Sequence, residues 1–133
     1  MICLDANIIL RFVLDNDPIL SPKAKIIIEK IQLGKTRVYF CLLALSEVIF
    51  TLERSYHLPK KEIVKALSVL FSYSNIKVES QKLIEEAFVY YVDKNVSFVD
   101  AYYLTLMQKK NIKKIYSFDR DFDKFLQIKR LEK

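Results

Sequence analysis

Short apolar runs alternate with longer stretches of helical period along this chain, and that alternation predicts its architecture. Met1-Ile-Cys-Leu4 is too short for a helix and predicts a buried strand closed by Asp5. Asn7 to Leu14 reads as the start of a core-facing helix, which Asp15-Asn16-Asp17-Pro18 breaks. Ser21-Pro22 predicts a helix start with Ser21 as its cap; Ile26, Ile27 and Ile31 supply the apolar face and Gly34 the stop. Arg37 to Leu42, β-branched and aromatic, predicts a second strand. Helices follow from Ala44 to Tyr56, and from Pro59 with Ile63, Ala66, Leu67 and Leu70 at helical spacing.

The second half repeats the pattern. Ile76 to Glu79 predicts a short third strand, and Ser80 caps a helix whose Leu83, Ile84, Ala87, Phe88 and Tyr91 share one face. Asn95-Val96 interrupts that helix, Ser97 to Lys110 forms another, and Ile112 to Phe118 predicts a fourth strand ending at Asp119. The tail from Asp121 reads as a short helix and an edge strand around Ile128. Strands alternating with helices predict βαβ units. The expected fold is α/β, a three-layer α/β/α arrangement with a mainly parallel four- or five-stranded sheet.

Length and composition bound this picture. A chain of 133 residues with 52% apolar residues, one Gly and three Pro predicts a single domain over 1–133 without linkers or repeats. A chain of this size buries roughly two-thirds of its unfolded surface. With no signal-like start and no apolar run near ~18 residues, the expectation is a soluble, cytoplasmic protein with no membrane partner. Cys3 and Cys41 lack metal-type spacing and are expected to be buried thiols rather than a disulfide. The net charge of +6 suits a polyanionic partner such as nucleic acid.

Candidate chemistry rests on acids next to strongly apolar sequence: Asp5, Glu47, Asp100 and Asp119. Each has a local alternative. Asp5 can cap a helix, Glu47 and Asp100 can favour positive helix N-termini, and Asp119 can begin a turn. Ser97-Phe-Val-Asp100 has the capping-box form. If the strand ends converge, however, three or four carboxylates share one pocket. Unit charges ~4 Å apart repel by roughly 1 kcal/mol in water and about 4 near a protein surface. Such a cluster calls for protonation or a cation. All-oxygen ligation selects Mg²⁺ or Mn²⁺. A zinc set is missing, since His57 is the lone histidine, and at a helix end it is expected to have no catalytic role. With a polyanionic substrate, this points to phosphodiester hydrolysis. No Gly-rich phosphate loop and no Ser/His/Asp pattern is present.

Taken in order, Leu4-Asp5-Ala-Asn7, Leu45-Ser-Glu47-Val, Ser97-Phe-Val-Asp100-Ala and Tyr116-Ser117-Phe-Asp119-Arg-Asp121-Phe resemble a PIN domain, specifically its VapC-like toxin branch. The resemblance covers almost the whole chain. It implies an Mg²⁺- or Mn²⁺-dependent ribonuclease in which Asp5, Glu47, Asp100 and Asp119 hold the metal, with Asp121 as an extra acid. Asn7 and Ser117 match the polar positions that orient those acids or the attacking water. Hydrolysis by the activated water would leave a 3′-hydroxyl and a 5′-phosphate. A homodimer and a cognate antitoxin protein are implied in the same way.

Arg11, one helical turn past Asn7, and Arg120, beside Asp119, are the candidate RNA-binding cations. The Lys109-Lys110 and Lys113-Lys114 pairs read as solvated surface, and Tyr102 and Tyr103 as core or interface rather than base-stacking residues. A catalytically idle RNA- or protein-binding module is the alternative from another class; it would not need all the acids. A haloacid-dehalogenase-like phosphatase also begins with a strand-end Asp but needs a second Asp where Asn7 stands.

Overall fold

The structure is a computed structural model describing residues 1–133. Its elements are β1 (Ile2–Cys3), α1 (Ala6–Leu14), α2 (Leu20–Gln32), β2 (Val38–Phe40), α3 (Leu42–Arg54), α4 (Lys60–Phe71), β3 (Ile76–Val78), α5 (Gln81–Asp93), α6 (Phe98–Lys109), β4 (Lys114–Tyr116) and β5 (Lys129–Leu131). A 3-10 turn, Arg120–Lys124, joins β4 to β5. Every strand pair is parallel, as the βαβ alternation predicts. The hydrogen bonds form two ladders, β1-β2-β3 and β4-β5. The chain divides into two compact units, Met1–Gln81 and Lys82–Lys133.

In the first unit β2 is central, with Ile2 opposite Val38 on one side and Val38 opposite Ile76 on the other. Its alternate residues Val38 and Phe40 are buried, with half-buried Tyr39 between them. The helices bury stripes at three- and four-residue spacing: Leu45, Val48, Ile49 and Leu52 on α3, and Ile63, Leu67, Leu70 and Phe71 on α4. Gly34 ends α2 with φ 77°, a conformation that costs a side chain with a Cβ.

Two local expectations are corrected. The start of α2 is set by Asp17, whose Oδ1 accepts the N–H groups of Ile19 and Leu20 at 2.9 and 2.7 Å. Ser21 lies inside the helix, buried, and donates its hydroxyl to the Arg11 carbonyl at 2.8 Å. The buried stripe is Ser21, Ala24, Ile28 and Ile31, at three- and four-residue spacing, and Ile26 falls outside it and is exposed. Cys3 is exposed and Cys41 half-buried, so neither is a buried thiol; both are free. A strand of two residues, Ile2–Cys3, is too short to be enclosed on both faces.

In the second unit the predicted face of α5 is buried throughout: Leu83, Ile84, Ala87, Phe88 and Tyr91. Phe98, at the start of α6, packs against Phe88 and Tyr91 with ring centroids 5.9 and 6.3 Å apart. Asn95 supplies the bend between the helices with φ 51°, a left-handed conformation that Asn tolerates. In the short parallel ladder Lys114 lies opposite Lys129 and Tyr116 opposite Leu131.

Candidate metal centre

The site in the second unit grows from two local motifs. The first is the N-terminus of α6. Ser97 is its N-cap, and its hydroxyl oxygen accepts the Asp100 N–H at 3.1 Å. This is the capping geometry that the Ser-x-x-acid spacing predicts. It places Asp100 in the first turn, only 8% exposed.

The second motif is the turn after β4. The Ser117 N–H donates to the Leu131 carbonyl at 3.0 Å, extending the ladder by one residue. The Ser117 hydroxyl oxygen accepts the Asp119 N–H at 3.0 Å, and Asp119 Oδ1 accepts the Asp121 N–H at 2.9 Å. Asp119 thus caps the 3-10 turn with one oxygen, as a turn-starting acid would. Asp121 is the second residue of the same turn, half-buried.

Aromatic packing fixes the turn against α6. Tyr103 meets Phe122 edge-on at 6.0 Å, and Phe122 is 3% exposed. Tyr90 of α5 meets Phe125 in the same way at 6.0 Å. Tyr102 packs against Phe98 at 6.2 Å, and Tyr103 keeps about half of its surface exposed beside Phe122.

These motifs bring Asp100, Asp119 and Asp121 together, with one carboxylate oxygen from each lying within 4.8 Å of the others. The electrostatic consequence falls on the buried member. Burial pushes the Asp100 carboxyl up to about 6, aided by the charge of Asp119, the hydrogen bond between the two side chains and the charge of Asp121. A hydrogen bond from Ser97 opposes the rise. Lys124 reaches Asp121 at 3.3 Å and the Asn95 carbonyl at 3.5 Å, a partial counter-charge at the edge of the cluster.

The donor set fits a hard divalent cation. It is all carboxylate oxygen, convergent and internally repulsive, and it contains neither His nor Cys. Asp100, Asp119 and Asp121 are the residues that would hold Mg²⁺ or Mn²⁺ here. Asp121 stands in the cluster on the same footing as the other two.

The remaining predicted residues belong to the first unit. Asp5 occupies the N-cap position of α1, with extended backbone angles, yet its side chain accepts no capping hydrogen bond. Its exposed carboxylate is therefore not consumed by the local role that the sequence also allowed. Asn7 is exposed in the first turn of α1. Glu47 is exposed on α3, which begins at Leu42 and so places it in the second turn. Arg11 donates to Asn16 Oδ1 at 3.3 Å. In the second unit Arg120 is exposed at the start of the 3-10 turn. Lys109, Lys110, Lys113 and Lys114 are all exposed, as expected for solvated surface. His57, with φ 54°, is an exposed turn residue after α3.

Sequence reasoning missed Arg130. Its guanidinium donates to Asp123 at 3.0 and 3.2 Å and to the Ser117 carbonyl at 3.1 Å, and it also pairs with Glu132. These contacts lower the Asp123 and Glu132 carboxyls below their ordinary values. The only signal in the sequence is an Arg in a short strand after an acid-rich turn, a pattern too common to single it out.

Parallel α/β architecture with a carboxylate cluster beside the end of β4 defines a class of α/β protein with an acidic site at a strand end. Within that class the chain belongs to the PIN domain family, whose family model matches residues 2–126. Among solved structures it is similar to VapC20 of Mycobacterium tuberculosis, described as a Sarcin-Ricin loop cleaving toxin, at 25% identity. That similarity covers 97% of this chain and 99% of the other, with a TM-score of 0.45. No curated protein matches the chain. No helix is long and apolar enough to cross a membrane.

Proposed function

We propose that this protein is an Mg²⁺- or Mn²⁺-dependent endoribonuclease acting as the toxin of a toxin–antitoxin pair. The observation that carries the reading is the convergence of Asp100, Asp119 and Asp121 within 4.8 Å, with the buried member pushed towards protonation. A protein that only bound RNA would gain nothing from three mutually repelling acids beside the phosphate backbone. PIN family membership and the net charge of +6 support the same reading.

A divalent cation bound there would neutralise charge on the phosphate and ease deprotonation of an attacking water. The chain's own residues prepare that site. Ser97 holds the backbone of Asp100, and Ser117 holds that of Asp119. Asp119 orients Asp121 through its second, capping interaction. We assign Asp5 and Glu47 to the same reaction on the sequence blocks in which they stand, with Asn7 as an orienting polar residue. Arg120, exposed next to Asp119, and Arg11 are assigned to substrate phosphates. A homodimer, a cognate antitoxin and a cytoplasmic location complete the proposal, together with residues 1–133 acting as one catalytic domain.

Incubation of chelator-stripped protein with a mixed RNA pool, with and without Mn²⁺, tests this reading. Cut RNA carrying 5′-phosphates only in the metal-loaded sample supports it. RNA binding with no cleavage under either condition would assign the chain to the idle binding class instead.

A further inference from the structure

The turn that carries Asp119 and Asp121 is fastened at both ends by one side chain. Arg130, in β5, has a side chain only 11% exposed. Its Nη1 donates to the Ser117 carbonyl at 3.1 Å, just before the acids. Its Nε and Nη2 donate to Asp123 Oδ1 and Oδ2 at 3.0 and 3.2 Å, just after them. The remaining contact, to Glu132, closes the guanidinium off from other partners on that side. Ser117 is held from its other side as well, through its N–H on the Leu131 carbonyl at 3.0 Å.

The cluster needs such restraint. Three carboxylates whose oxygens lie within 4.8 Å push one another apart when no cation is bound. The hydrogen bonds inside the turn, Asp119 N–H to Ser117 and Asp121 N–H to Asp119, exist only while the backbone keeps its shape. Lys124 offsets Asp121 alone. Arg130 makes no hydrogen bond to Asp100, Asp119 or Asp121, so its effect on them passes through the backbone it ties down.

We propose that Arg130 is a positioning residue that preorganises Asp119 and Asp121 for a divalent cation before the cation arrives. The inference rests on the ribonuclease reading only for the cation that this cluster takes. Groups that orient metal ligands from behind typically change metal affinity 10–100-fold when removed. A site already held in shape does not spend binding energy on ordering its ligands. The task also explains why the residue is Arg. A planar fork spans both oxygens of Asp123 and a backbone carbonyl at once, whereas a lysine ammonium is a point charge on a flexible stem.

The test is a Mn²⁺ titration of the chelator-stripped full chain, following free Mn²⁺ by electron paramagnetic resonance, for wild type, Arg130→Gln, Arg130→Lys and Asp123→Asn. The expected result is a rise of about 10–100-fold in the Mn²⁺ dissociation constant for Arg130→Gln and Asp123→Asn, with little recovery in Arg130→Lys. Amide hydrogen exchange in the metal-free variants should quicken over residues 117–124 and stay unchanged in α5. Asp123 has a side chain 54% exposed, so Asp123→Asn keeps the test open even if Arg130→Gln fails to fold. Wild-type Mn²⁺ affinity in Asp123→Asn, or its full restoration by lysine at 130, overturns the clamp alone. A wild-type protein that binds no Mn²⁺ overturns the metal reading and the clamp with it.

Discussion

The carboxyl groups of Asp100 and Asp119, one from the first turn of α6 and one from the turn after β4, lie with an oxygen of each within 4.8 Å of the other. Two ionised carboxylates so placed repel each other. Without a cation, burial and that repulsion favour the protonated form of Asp100, the buried partner, whose carboxyl is pushed up to about 6. Asp100→Asn removes one charge from the cluster and keeps the size and polarity of the side chain. The metal-free variant should melt at or a few degrees above wild type near neutral pH, with a shift of about 1 kcal/mol. The same variant should cleave no RNA. A scanning melt in chelator reads the first outcome and an RNA cleavage assay the second.

The raised Asp100 carboxyl sets the sign of the pH dependence. Its value is higher in the folded protein than in the unfolded chain, where it lies near 3.8. The folded state then binds the extra proton, and the stability this contributes is complete below about 3.8 and lost as the pH rises through about 6. Metal-free protein should therefore lose on the order of 1–2 kcal/mol from this group between about pH 4 and about pH 7, with screening by solvent at Asp119 allowed for. Urea unfolding at several pH values in chelator measures it. In Asp100→Asn this component of the slope should vanish.

A cation bound among the three acids would relieve their repulsion in place of protonation. Saturating Mn²⁺ should raise the melting temperature, with a stabilisation of about 2.7 kcal/mol when its concentration is 100 times the dissociation constant. It should also flatten the pH dependence, because the metal-loaded acids stay ionised throughout. Differential scanning calorimetry across a Mn²⁺ series checks both outcomes, with Asp119→Asn expected to show a much smaller shift.

Ser97 has two tasks, capping α6 and donating to Asp100. Ser97→Ala should cost about 1 kcal/mol of stability through the lost cap. It should also move the Asp100 titration further upward, since the hydroxyl that favoured the ionised form is gone. Chemical denaturation reads the cap, and carbon-13 NMR titration of the Asp carboxyls reads the shift.

The sequence was most legible where local chemistry and long-range packing agree. The Ser97–Asp100 capping box, the buried face of α5 and the parallel strands all follow from spacing alone, because each is fixed by a short period or a single hydrogen bond. Legibility failed where two local solutions compete. Asp17 and Ser21 can both begin α2, and Asp17 wins because its carboxylate reaches two backbone N–H groups while the Ser21 hydroxyl satisfies the Arg11 carbonyl. The buried stripe of α2 runs through Ser21, Ala24, Ile28 and Ile31 at three- and four-residue spacing, which leaves Ile26 on the outer face. Cys3 was misjudged because a run of apolar letters does not reveal how short its strand is.

At the site, the sequence marked Asp100 and Asp119 by their boundaries, and the structure adds Asp121 to them as an equal member. Asp121 is drawn in by the capping bond to Asp119 Oδ1, which folds the turn back on itself. Arg130 was not legible, because its role depends on two partners, Ser117 and Asp123, that only the tertiary turn brings to one guanidinium.

The proposed ribonuclease activity depends on a divalent cation held by Asp100, Asp119 and Asp121. The most direct test is cleavage of a defined RNA by chelator-stripped protein across a Mn²⁺ and Mg²⁺ titration, comparing wild type with Asp100→Asn. The expected result is no cleavage without metal, cleavage that saturates with metal in wild type to leave 3′-hydroxyl and 5′-phosphate ends, and none in Asp100→Asn. Undiminished cleavage in excess chelator, or a fully active Asp100→Asn, would contradict it.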